Sequence, residues 1–576
     1  MGYFCKSQLS IVRLGLGDAG AVLSLAAKVE SEFEKRLNGI HEFLEDAENK
    51  ALNLSIGLYR NKKLVGYVLA CMQVEKGFIP PSFNPKNTDG IPDLQTGIFV
   101  ADIALENNNR LLAIRIFRNF IKLARLMFNS DCFPVYVYCS EIQIRALLDS
   151  HRFLKRYFIN IKGEKSFFNK YDIAISFLCF EVSFPELSSS KSLYQKLQCK
   201  LPVEKNNRII VGVLKTYRAF ESLCPYWNPL LEKTKSAINL QEYQFLKSWY
   251  VNIGWPCQLY FIVILFDGKP IAIAPFQINK VKVFNKVIKR MAFLGLNKEM
   301  DRQTIFFEDD KYNLTKVIVD FLAFNKNDWD QIALFEQKIE CHFVEKFSNY
   351  MKKAGFLIGF SPRPVCPFIK INGTWDEYLR SKNRSLRKSI RRKIETLKNK
   401  GEIRLDVVWP LEGDDFLDRY LHVEARSWKC ADRKGVRKTS GHFAFYRSLA
   451  NTYGQKGLFK FGFLTLNNIP IAATFGIGWR HSFYSLQICH DERFSKESPG
   501  FVLTAMELEN MFEDGRFSIF DFLGGALHNK LSWSTNSDST QNIFVNRFTF
   551  FGIFYHFMVF KVKPLLIRLN VIKRVG

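Results

Sequence analysis

A hairpin-like pattern occurs three times along this chain of 576 residues, at intervals of about 200 residues. Each copy is a run of β-forming residues, a short polar turn and a second such run, which is typical of an antiparallel β-hairpin. Because a unit that recurs at a near-constant period is one module used repeatedly, it constrains the fold of the whole chain. The copies are residues 54–69, 260–274 and 461–475, with turns that begin at Asn61, Asp267 and Asn467.

The same order of elements follows each hairpin. A helical pattern comes first and a short apolar strand comes next. The helical patterns are residues 108–127, 313–324 and 500–512, and the strands are residues 134–139, 331–335 and 519–523. The sequence therefore predicts an α/β protein of three consecutive domains, with mixed, mainly antiparallel sheets flanked by helices. We place these first, second and third repeats at residues 1–195, 205–372 and 373–576.

This repeated unit resembles the GNAT fold of the N-acetyltransferase superfamily, which has a hairpin, a strand, a helix, and a further strand and helix in this order. The resemblance implies that acyl-CoA lies between two splayed strands, with its pyrophosphate on the N-terminus of the following helix. Exposed N–H groups and the helix dipole make such a helix end an anion site.

The three helix starts differ in how well they match the family pattern Gln/Arg-x-x-Gly-x-Gly/Ala. The first repeat has Arg110 but lacks both glycines, so we predict a degenerate site. The second repeat has Asp309 and Asp310 near this place, where carboxylates would repel a pyrophosphate. Both repeats are therefore predicted not to bind the cofactor.

The third repeat offers a better helix start. A serine can cap the helix, a proline suits its first position and a glycine permits close approach of phosphate. We predict that this segment binds acetyl-CoA or another acyl-CoA as the donor. Its residues are Ser498, Pro499, Gly500, Phe501 and Val502.

Five motifs occur in order between residues 208 and 567. They are Phe293-Leu-Gly295, Trp375-x-x-Tyr378-Leu379, Glu424-x-x-Ser427-Trp428-Lys429, Ser498-Pro-Gly500, and Asp521-Phe-Leu-Gly524-Gly525 leading to Lys530-x-x-Trp533. This region resembles the CelD-like, cellulose-biosynthesis-type acetyltransferases, which are relatives of the Fem-type aminoacyl transferases. The resemblance implies acyl-CoA-dependent N- or O-acylation of a cell-envelope or polysaccharide precursor. Two alternatives stay open: a Fem-like aminoacyl-tRNA-dependent transferase, and a non-catalytic GNAT-repeat scaffold on an anionic membrane.

Acyl transfer to an amine or hydroxyl needs a base, donors for the oxyanion and a positioned acceptor. Asp521 ends an apolar strand before two glycines, where desolvation would favour a basic carboxylate. Glu424 lies four residues before Trp428, on one side of a predicted helix, and His490 follows the predicted strand 483–489. We predict Asp521, Glu424 and His490 as catalytic candidates, with Asp491 as a further possible base. Each also has a structural interpretation, as a surface charge, a cap or a loop histidine.

Four residues are predicted to bind the acceptor: Trp428, Lys429, Lys530 and Arg384. Arg384 belongs to segment 380–400, which contains ten Lys or Arg and one acid. Apolar residues at steps of three and four predict an amphipathic helix there. They are Leu386, Ile390, Ile394 and Leu397. The basic face indicates an anionic membrane, a phosphate-bearing acceptor or tRNA as partner, or simply a solvated surface.

The formal net charge of +26 favours anionic partners, and we expect acyl-CoA, an envelope or sugar acceptor and an anionic membrane before tRNA, and no DNA. No C-x-x-C pair occurs among the twelve cysteines, so no metal is predicted. The aromatic segment 548–571, with its basic residues, could lie in a membrane interface or pack on its own domain. Free thiols without a signal-peptide pattern predict a cytoplasmic protein, in peripheral contact with the inner face of the membrane.

Overall fold

The computed structural model describes most of residues 193–569 and, N-terminal to residue 193, eight strands and a few isolated residues. Two compact units are present. One comprises residues 1–189, 251–256 and 429–448, and the other comprises residues 190–250, 257–428 and 449–576. Within 193–569 the structure does not describe residues 204–207, 235–238, 255–256, 296–301, 308–311, 412, 432–434, 438–440 and 525–527.

The described strands form two sheets, one in each unit. The N-terminal sheet contains β1 (Leu9–Arg13), β2 (Leu52–Asn53), β3 (Ile56–Arg60), β4 (Lys63–Met72), β5 (Ile98–Leu105), β6 (Cys132–Cys139), β7 (Ile159–Phe168) and β8 (Ala174–Ser183). The larger sheet contains β9 (Gln198–Pro202), β10 (Ile209–Leu214), β11 (Gln258–Phe266), β12 (Lys269–Val283), β13 (Lys286–Phe293), β14 (Phe306–Phe307), β15 (Gln331–Lys338), β16 (Leu357–Lys370), β17 (Ile403–Val408), β18 (Phe459–Leu466), β19 (Ile469–Trp479), β20 (Ser482–His490), β21 (Ile519–Asp521) and β22 (Asn536–Asn546).

Helices connect the strands of the larger sheet. The α-helices are α1 (Leu193–Lys196), α2 (Tyr217–Glu221), α3 (Cys224–Lys233), α4 (Tyr243–Trp249), α5 (Leu314–Phe324), α6 (His342–Lys353), α7 (Trp375–Ser381), α8 (Arg384–Lys398), α9 (Asp414–Glu424), α10 (Trp428–Ala431), α11 (His442–Gly454), α12 (Pro499–Asp514), α13 (His528–Trp533), α14 (Phe550–Phe557) and α15 (Lys563–Arg568). Short 3-10 segments lie at Asn239–Gln241, Lys326–Asp328 and Glu492–Glu497, and π-helical turns lie at Tyr250–Gly254 and Met558–Val562.

The three repeated hairpins are present, and they agree in detail. β3–β4, β11–β12 and β18–β19 are antiparallel pairs, and each has one β-bulge. Each bulge separates the residues that stand three and two positions before the turn. These pairs are Leu58/Tyr59, Ile264/Leu265 and Leu464/Thr465. Because a bulge at a fixed place sets the twist of a hairpin, the three hairpins share one geometry, as the repeat predicts.

Strand order shows the same repeat. The N-terminal sheet runs β1-β3-β4-β5-β6-β8-β7, and β5 pairs with β6 in parallel. The larger sheet runs β17-β18-β19-β20-β21-β16-β22-β15-β13-β12-β11-β10-β9. It contains the same arrangement twice, with parallel pairs β13–β15 and β20–β21. The prediction of an α/β fold with mixed, mainly antiparallel sheets is therefore confirmed, and the repeated strand arrangement occurs three times within the two units.

The second and third repeats exchange their last strands. In the first repeat β8, from the same repeat, lies beside β6. In the larger sheet β22 of the third repeat lies beside β15, and β16 of the second repeat lies beside β21. β16 and β22 also pair with each other. The exchange joins both repeats into one sheet, and a boundary at residues 372–373 stays a prediction.

The predicted basic helix is two helices. α7 ends at Ser381, and α8 begins at Arg384 after Asn383, whose side chain accepts a hydrogen bond from the Leu386 N–H (2.8 Å). The prediction of one helix over 380–400 is wrong in this respect, because Asn383 is an N-cap that starts a new helix. The apolar stripe is confirmed, since Leu386, Ile390 and Leu397 are buried and Ile394 packs beside them.

Candidate active site

The shared hairpin geometry defines one equivalent position on the second hairpin strand of each repeat. This position is the residue that pairs with the last residue before the hairpin bulge. It is Gly66 in the first repeat, Ala272 in the second and Ala472 in the third. Across the sheet from these residues lie Leu105, Phe307 and His490. Only the third of these side chains can move a proton near neutral pH. The strand register thus shows that only the third repeat has a titratable side chain at this position.

The strand pairing near this position also differs between repeats. In the first and third repeats a bulge follows Gly66 and Ala472 by three to four residues, at Leu69/Ala70 and Phe475/Gly476. In the second repeat the pairing of β12 with β13 stops at Phe276, and the short strand β14 takes over the pairing with β12. A bulge bends a strand away from its neighbour, and no such bulge occurs in the described pairing of β12 with β13.

The third repeat has the splayed strands that the resemblance implies. β20 pairs in parallel with β21 over Ser482, Phe483 and Tyr484 only. Beyond its bulge, among the described residues, β20 continues to His490 and pairs with no strand other than β19. The parallel pairing of β20 with β21 therefore ends at Tyr484, before the part of β20 that leads to α12.

The helix that follows β20 begins at Pro499, its predicted first position. Ser498 precedes it in a left-handed conformation, with φ of +58°. Its side chain makes no capping hydrogen bond, so the prediction that Ser498 caps the helix is wrong. A capping serine needs an extended backbone, and the left-handed one turns its hydroxyl away from the helix. The Ser498 carbonyl instead accepts from the N–H groups of Phe501 (3.0 Å) and Val502 (3.2 Å).

His490 and Gly500 lie together at this helix start. A Cβ at position 500 would stand 3.4 Å from His490 Nδ1, which is ordinary contact distance. His490 Nε2 lies 3.6 Å from Glu492 Oε1, and the imidazole is partly exposed. The Gly500 N–H has no protein acceptor among the described residues. The structure thus brings one predicted base and one predicted phosphate-binding residue into a single partly open site.

Lys393, which the sequence analysis did not single out, belongs to the same site. Its Nζ lies 4.3 Å from the centre of the Phe501 ring in the first turn of α12. Burial lowers the pKa of Lys393, and the charge of Arg392 lowers it further. The Phe501 ring also contacts the buried Trp533, at 4.8 Å between ring centres. The sequence offered one signal for Lys393: it directly precedes Ile394, a residue of the apolar stripe of α8.

Asp521 is buried, as predicted, but it is part of an ion pair. Arg302 of the second repeat places NH2 at 2.9 Å from one carboxylate oxygen of Asp521 and 3.0 Å from the other. The Leu523 N–H also donates to Asp521 Oδ1 (2.9 Å), and Arg302 NH1 reaches Asp538 Oδ2 (2.9 Å). Proton abstraction by Asp521 would have to break this buried pair, so these contacts favour a structural role.

Glu424 and Asp491 lie where α9 and β20 end. The Glu492 N–H donates to the Arg426 carbonyl (3.0 Å), which joins the two ends. Glu424 is buried, with Oε1 3.3 Å from the Tyr420 hydroxyl. Burial alone would raise the pKa of Asp491, but hydrogen bonds from Arg493 and the charge of Arg426 outweigh it, so the pKa is lowered. Asp491 is therefore a poor base, whereas Glu424 stays a candidate.

The predicted acceptor-binding residues are dispersed. Trp428 is partly exposed at the start of α10, and Lys429 beside it is buried. The Lys530 ammonium donates hydrogen bonds to the carbonyls of Phe522 (3.0 Å) and Leu523 (2.6 Å), the two residues that follow β21. Arg384 is exposed at the first turn of α8. Their binding roles stay predictions.

Metal ligands do not converge in the part of the chain that the structure describes: no three His, Cys, Asp or Glu side chains cluster there. The six cysteines whose side chains the structure describes are free thiols. The arrangement at His490 and Gly500 is a base beside a helix N-terminus, which suits proton transfer next to an anionic group.

Comparison with known proteins places the site in a family. The acetyltransferase (GNAT) domain model matches residues 384–531, which include α8, β20, α12 and β21. No curated protein matches the chain in sequence.

Several solved structures are similar in part. FemX is 12% identical over 56% of this chain and 95% of its own, with a TM-score of 0.39. The C-terminal domain of a putative lysylphosphatidylglycerol synthetase from Agrobacterium fabrum is 10% identical, over 60% and 97%, with a TM-score of 0.36. A tandem GNAT protein from the clavulanic acid biosynthesis pathway is 8% identical, over 58% and 98%, with a TM-score of 0.35. Residues 384–531, which contain the parallel pair β20–β21 and the helix that begins at Pro499, thus match an acetyltransferase domain of the GNAT type.

Proposed function

We propose that the third repeat transfers an acyl group from acyl-CoA to an amine or hydroxyl of a cell-envelope or polysaccharide precursor. The observation that carries this proposal is the contact between the His490 imidazole and Gly500 at the start of α12. The envelope or sugar acceptor rests on the resemblance to CelD-like acetyltransferases alone. We expect the reaction to take place in the cytoplasm.

Acyl-CoA is a substrate here, and the third repeat supplies groups of the right charge to hold it. The free Gly500 N–H and the positive end of the α12 dipole face the place where a pyrophosphate would bind. Lys393 adds a positive charge beside the first turn of this helix. We place the thioester arm between β20 and β21 beyond Tyr484, where their parallel pairing ends.

His490 is the base that we propose for the transfer. Its imidazole takes a proton from the acceptor amine or hydroxyl as the acceptor attacks the thioester carbonyl. The C–S bond then breaks, and the CoA thiolate leaves and takes up a proton. Glu492, 3.6 Å from Nε2, stabilises the imidazolium that forms. Glu424 is the second candidate for this role.

Replacing Gly500 with aspartate should reduce acyl-CoA affinity by more than tenfold, as measured by calorimetry. The carboxylate would oppose the phosphates at the helix start and would lie beside His490. An acid in the first turn of a helix is favourable, so the variant should fold.

Gly500→Ala is the matched control for this change. Its Cβ would make only an ordinary contact with His490, at 3.4 Å, so acyl-CoA affinity should stay within a fewfold of the unmodified protein. Equal affinity in the aspartate variant would mean that this helix start is structural only. Absence of any CoA binding to the unmodified protein would favour the scaffold alternative.

The exposed face of α8 favours one second candidate, a Fem-like aminoacyl-tRNA-dependent transferase. Five basic side chains are exposed on this helix, and no ion pair of theirs is found within the described residues. They are Arg384, Lys388, Arg391, Arg392 and Lys398. A row of unpaired cations is what a nucleic-acid backbone requires.

The combined change Arg384→Glu, Lys388→Glu and Arg391→Glu tests this candidate. If tRNA binds this face, its affinity should fall at least tenfold, and the slope of log K against log salt should lose about 0.7–0.9 per phosphate contact removed. The buried stripe is untouched, so α8 should still pack. Lys326→Glu, Lys352→Glu and Lys353→Glu, which reverse three exposed lysines elsewhere, provide a control of equal net charge. No tRNA binding by the unmodified protein would remove this candidate.

A further inference from the structure

The last helical segment of the described chain is apolar on both of its faces. α14, a π-helical turn and α15 run without a break from Phe550 to Arg568, a helix long and apolar enough to cross a membrane. Only 11% of its most apolar window is buried. A helix of this composition in a water-soluble core would be mostly buried, so its exposure needs an explanation.

One face of this segment is docked on the larger sheet. The Phe560 ring lies against Gly359 of β16 so closely that a Cβ at position 359 would clash with it. Phe560 also contacts Phe544 of β22, at 5.7 Å between ring centres, and Tyr555 is buried beside them. These contacts fix the helix along the protein surface.

The opposite face is an exposed apolar stripe at helical spacing. Phe550 is 90% exposed and Phe557 is 56% exposed, and Ile553, Phe554 and Leu565 continue the same line. Residues three, four and seven apart lie on one side of a helix, so these side chains form one continuous surface. Water-soluble proteins rarely leave such a stripe uncovered.

The turn between β12 and β13 extends this stripe. Phe284 and Asn285 have positive φ, and Phe284 projects at this turn with 53% of its surface exposed. Its ring lies 5.6 Å from that of Phe554 and 6.0 Å from that of Tyr555. Lys286 Nζ lies 4.7 Å from the centre of the Phe551 ring. A turn that is distant in sequence thus joins the helix in one aromatic surface.

The segments that form this surface carry charges of one sign. Residues 280–295 and 547–569 contain no Asp or Glu. Their basic residues are Lys280, Lys282, Lys286, Lys289, Arg290, Arg547, Lys561, Lys563 and Arg568, of which Arg547 pairs with Asp330 just before β15 (3.6 Å). Exposed aromatics surrounded by Lys and Arg are suited to the headgroup region of an anionic bilayer, where rings enter the interface and cations meet phosphates.

We propose that the surface formed by the 550–568 helix and the β12–β13 turn docks the protein on anionic lipid bilayers, with the helix lying in the plane of the interface. A spanning orientation would undock Phe560 and Tyr555 from the sheet and would carry Lys561 and Lys563 into the hydrocarbon. This surface shares no residue with the site at His490 and Gly500. The inference therefore stands independently of the proposed chemistry.

Flotation of the full chain with vesicles tests the proposal. Binding should be strong to vesicles that contain about 30% phosphatidylglycerol in phosphatidylcholine, and weak to phosphatidylcholine alone. Binding should weaken but persist as salt rises, because ring insertion is not screened. Failure of the unmodified protein to bind anionic vesicles would overturn the proposal.

Two sets of variants separate the contributions. Phe550→Asp with Phe557→Asp should reduce affinity for anionic vesicles by tenfold or more, because both rings lose their apolar contact. Lys282→Glu, Lys286→Glu and Lys561→Glu together should reduce it on the order of a hundredfold at low salt. Leu411→Asp, an equally exposed apolar position of the third repeat, is the control and should leave binding unchanged. Equal binding by the Phe550/Phe557 variant would overturn the proposal.

Further measurements exclude other occupants of this surface. The additional tryptophan fluorescence of the Phe557→Trp variant should be quenched more strongly by lipids brominated near the headgroup than by lipids brominated at the chain ends. The reverse order would show a spanning helix and overturn the proposal. Dimers in solution that dissociate in the Phe550/Phe557 variant would identify a second copy as the occupant and overturn the proposal. Gly500→Asp should bind vesicles normally, so failure of the acyl-CoA hypothesis and of this one can be told apart.

Discussion

Replacement of Arg302 with alanine is expected to lower the free energy of unfolding of the larger unit by about 3–5 kcal/mol. The guanidinium is 2% exposed and binds both Asp521 and Asp538. Without it the buried Asp521 carboxylate would lose its cation, whereas Asp538 would keep Lys338 at 2.8 Å. A buried charge left without a partner is among the most destabilising changes in a folded protein.

Urea unfolding followed by circular dichroism measures this effect. Arg208→Ala is the matched control, because Arg208 forms a similar two-point pair with Asp267 in which both side chains are 52% exposed. We expect the control to cost much less than Arg302→Ala, because solvent screens an exposed pair. The double change Arg302→Met with Asp521→Asn should be milder than Arg302→Ala, since no charge then stays buried. An Arg302→Ala loss as small as that of the control would contradict the structural role assigned to this pair.

Replacement of His490 with alanine is expected to lower kcat by about 10²–10⁴, with little change in the KM for acyl-CoA. The loss falls on kcat because a general base acts only as the acceptor attacks. An imidazole that merely filled space beside Gly500 would change acyl-CoA affinity or stability instead. Steady-state kinetics with acyl-CoA and a panel of amine and hydroxyl acceptors measures the split.

His481 provides a control for this change. It directly precedes β20, as His490 ends it, and its backbone carbonyl accepts hydrogen bonds from Ser518 and Ile519. These bonds survive a change to alanine, so His481→Ala should keep its activity and fold. If His490→Ala retained full kcat while Glu424→Gln lost it, the role of base would pass to Glu424. Loss in neither variant would remove both candidates.

Much of the fold could be read from local sequence. The turns Asp267-Gly268 and Asn467-Asn468 adopt positive φ at both residues, which these residue types tolerate, and they fix the hairpins. The stripe of Leu386, Ile390 and Leu397 was readable because helical spacing alone decides which side is buried. The helix start at Pro499 was also predicted, but the left-handed Ser498 was not, since its conformation depends on the segment that packs before it.

The catalytic candidates show where local sequence stops being sufficient. Glu424, Asp521 and His490 were all catalytic candidates on residue type and neighbouring residues. Their different environments come from contacts between distant segments, such as Arg302 with Asp521 and His490 with Gly500. Sequence spacing carries no information on which charges meet across a sheet, because pairing depends on the register of strands that are far apart in the chain.

The sequence by itself determined that the chain repeats one α/β unit three times, and it predicted that the third helix start is the best suited to phosphate. Period, turn chemistry and apolar spacing are local properties, and each repeat expresses them independently. Only the tertiary structure decided that β16 and β22 are exchanged between repeats and that His490 occupies the register position of Leu105 and Phe307. The physical reason is that a strand has two edges with equivalent hydrogen-bonding groups, so its partner is selected by the packing of the whole sheet.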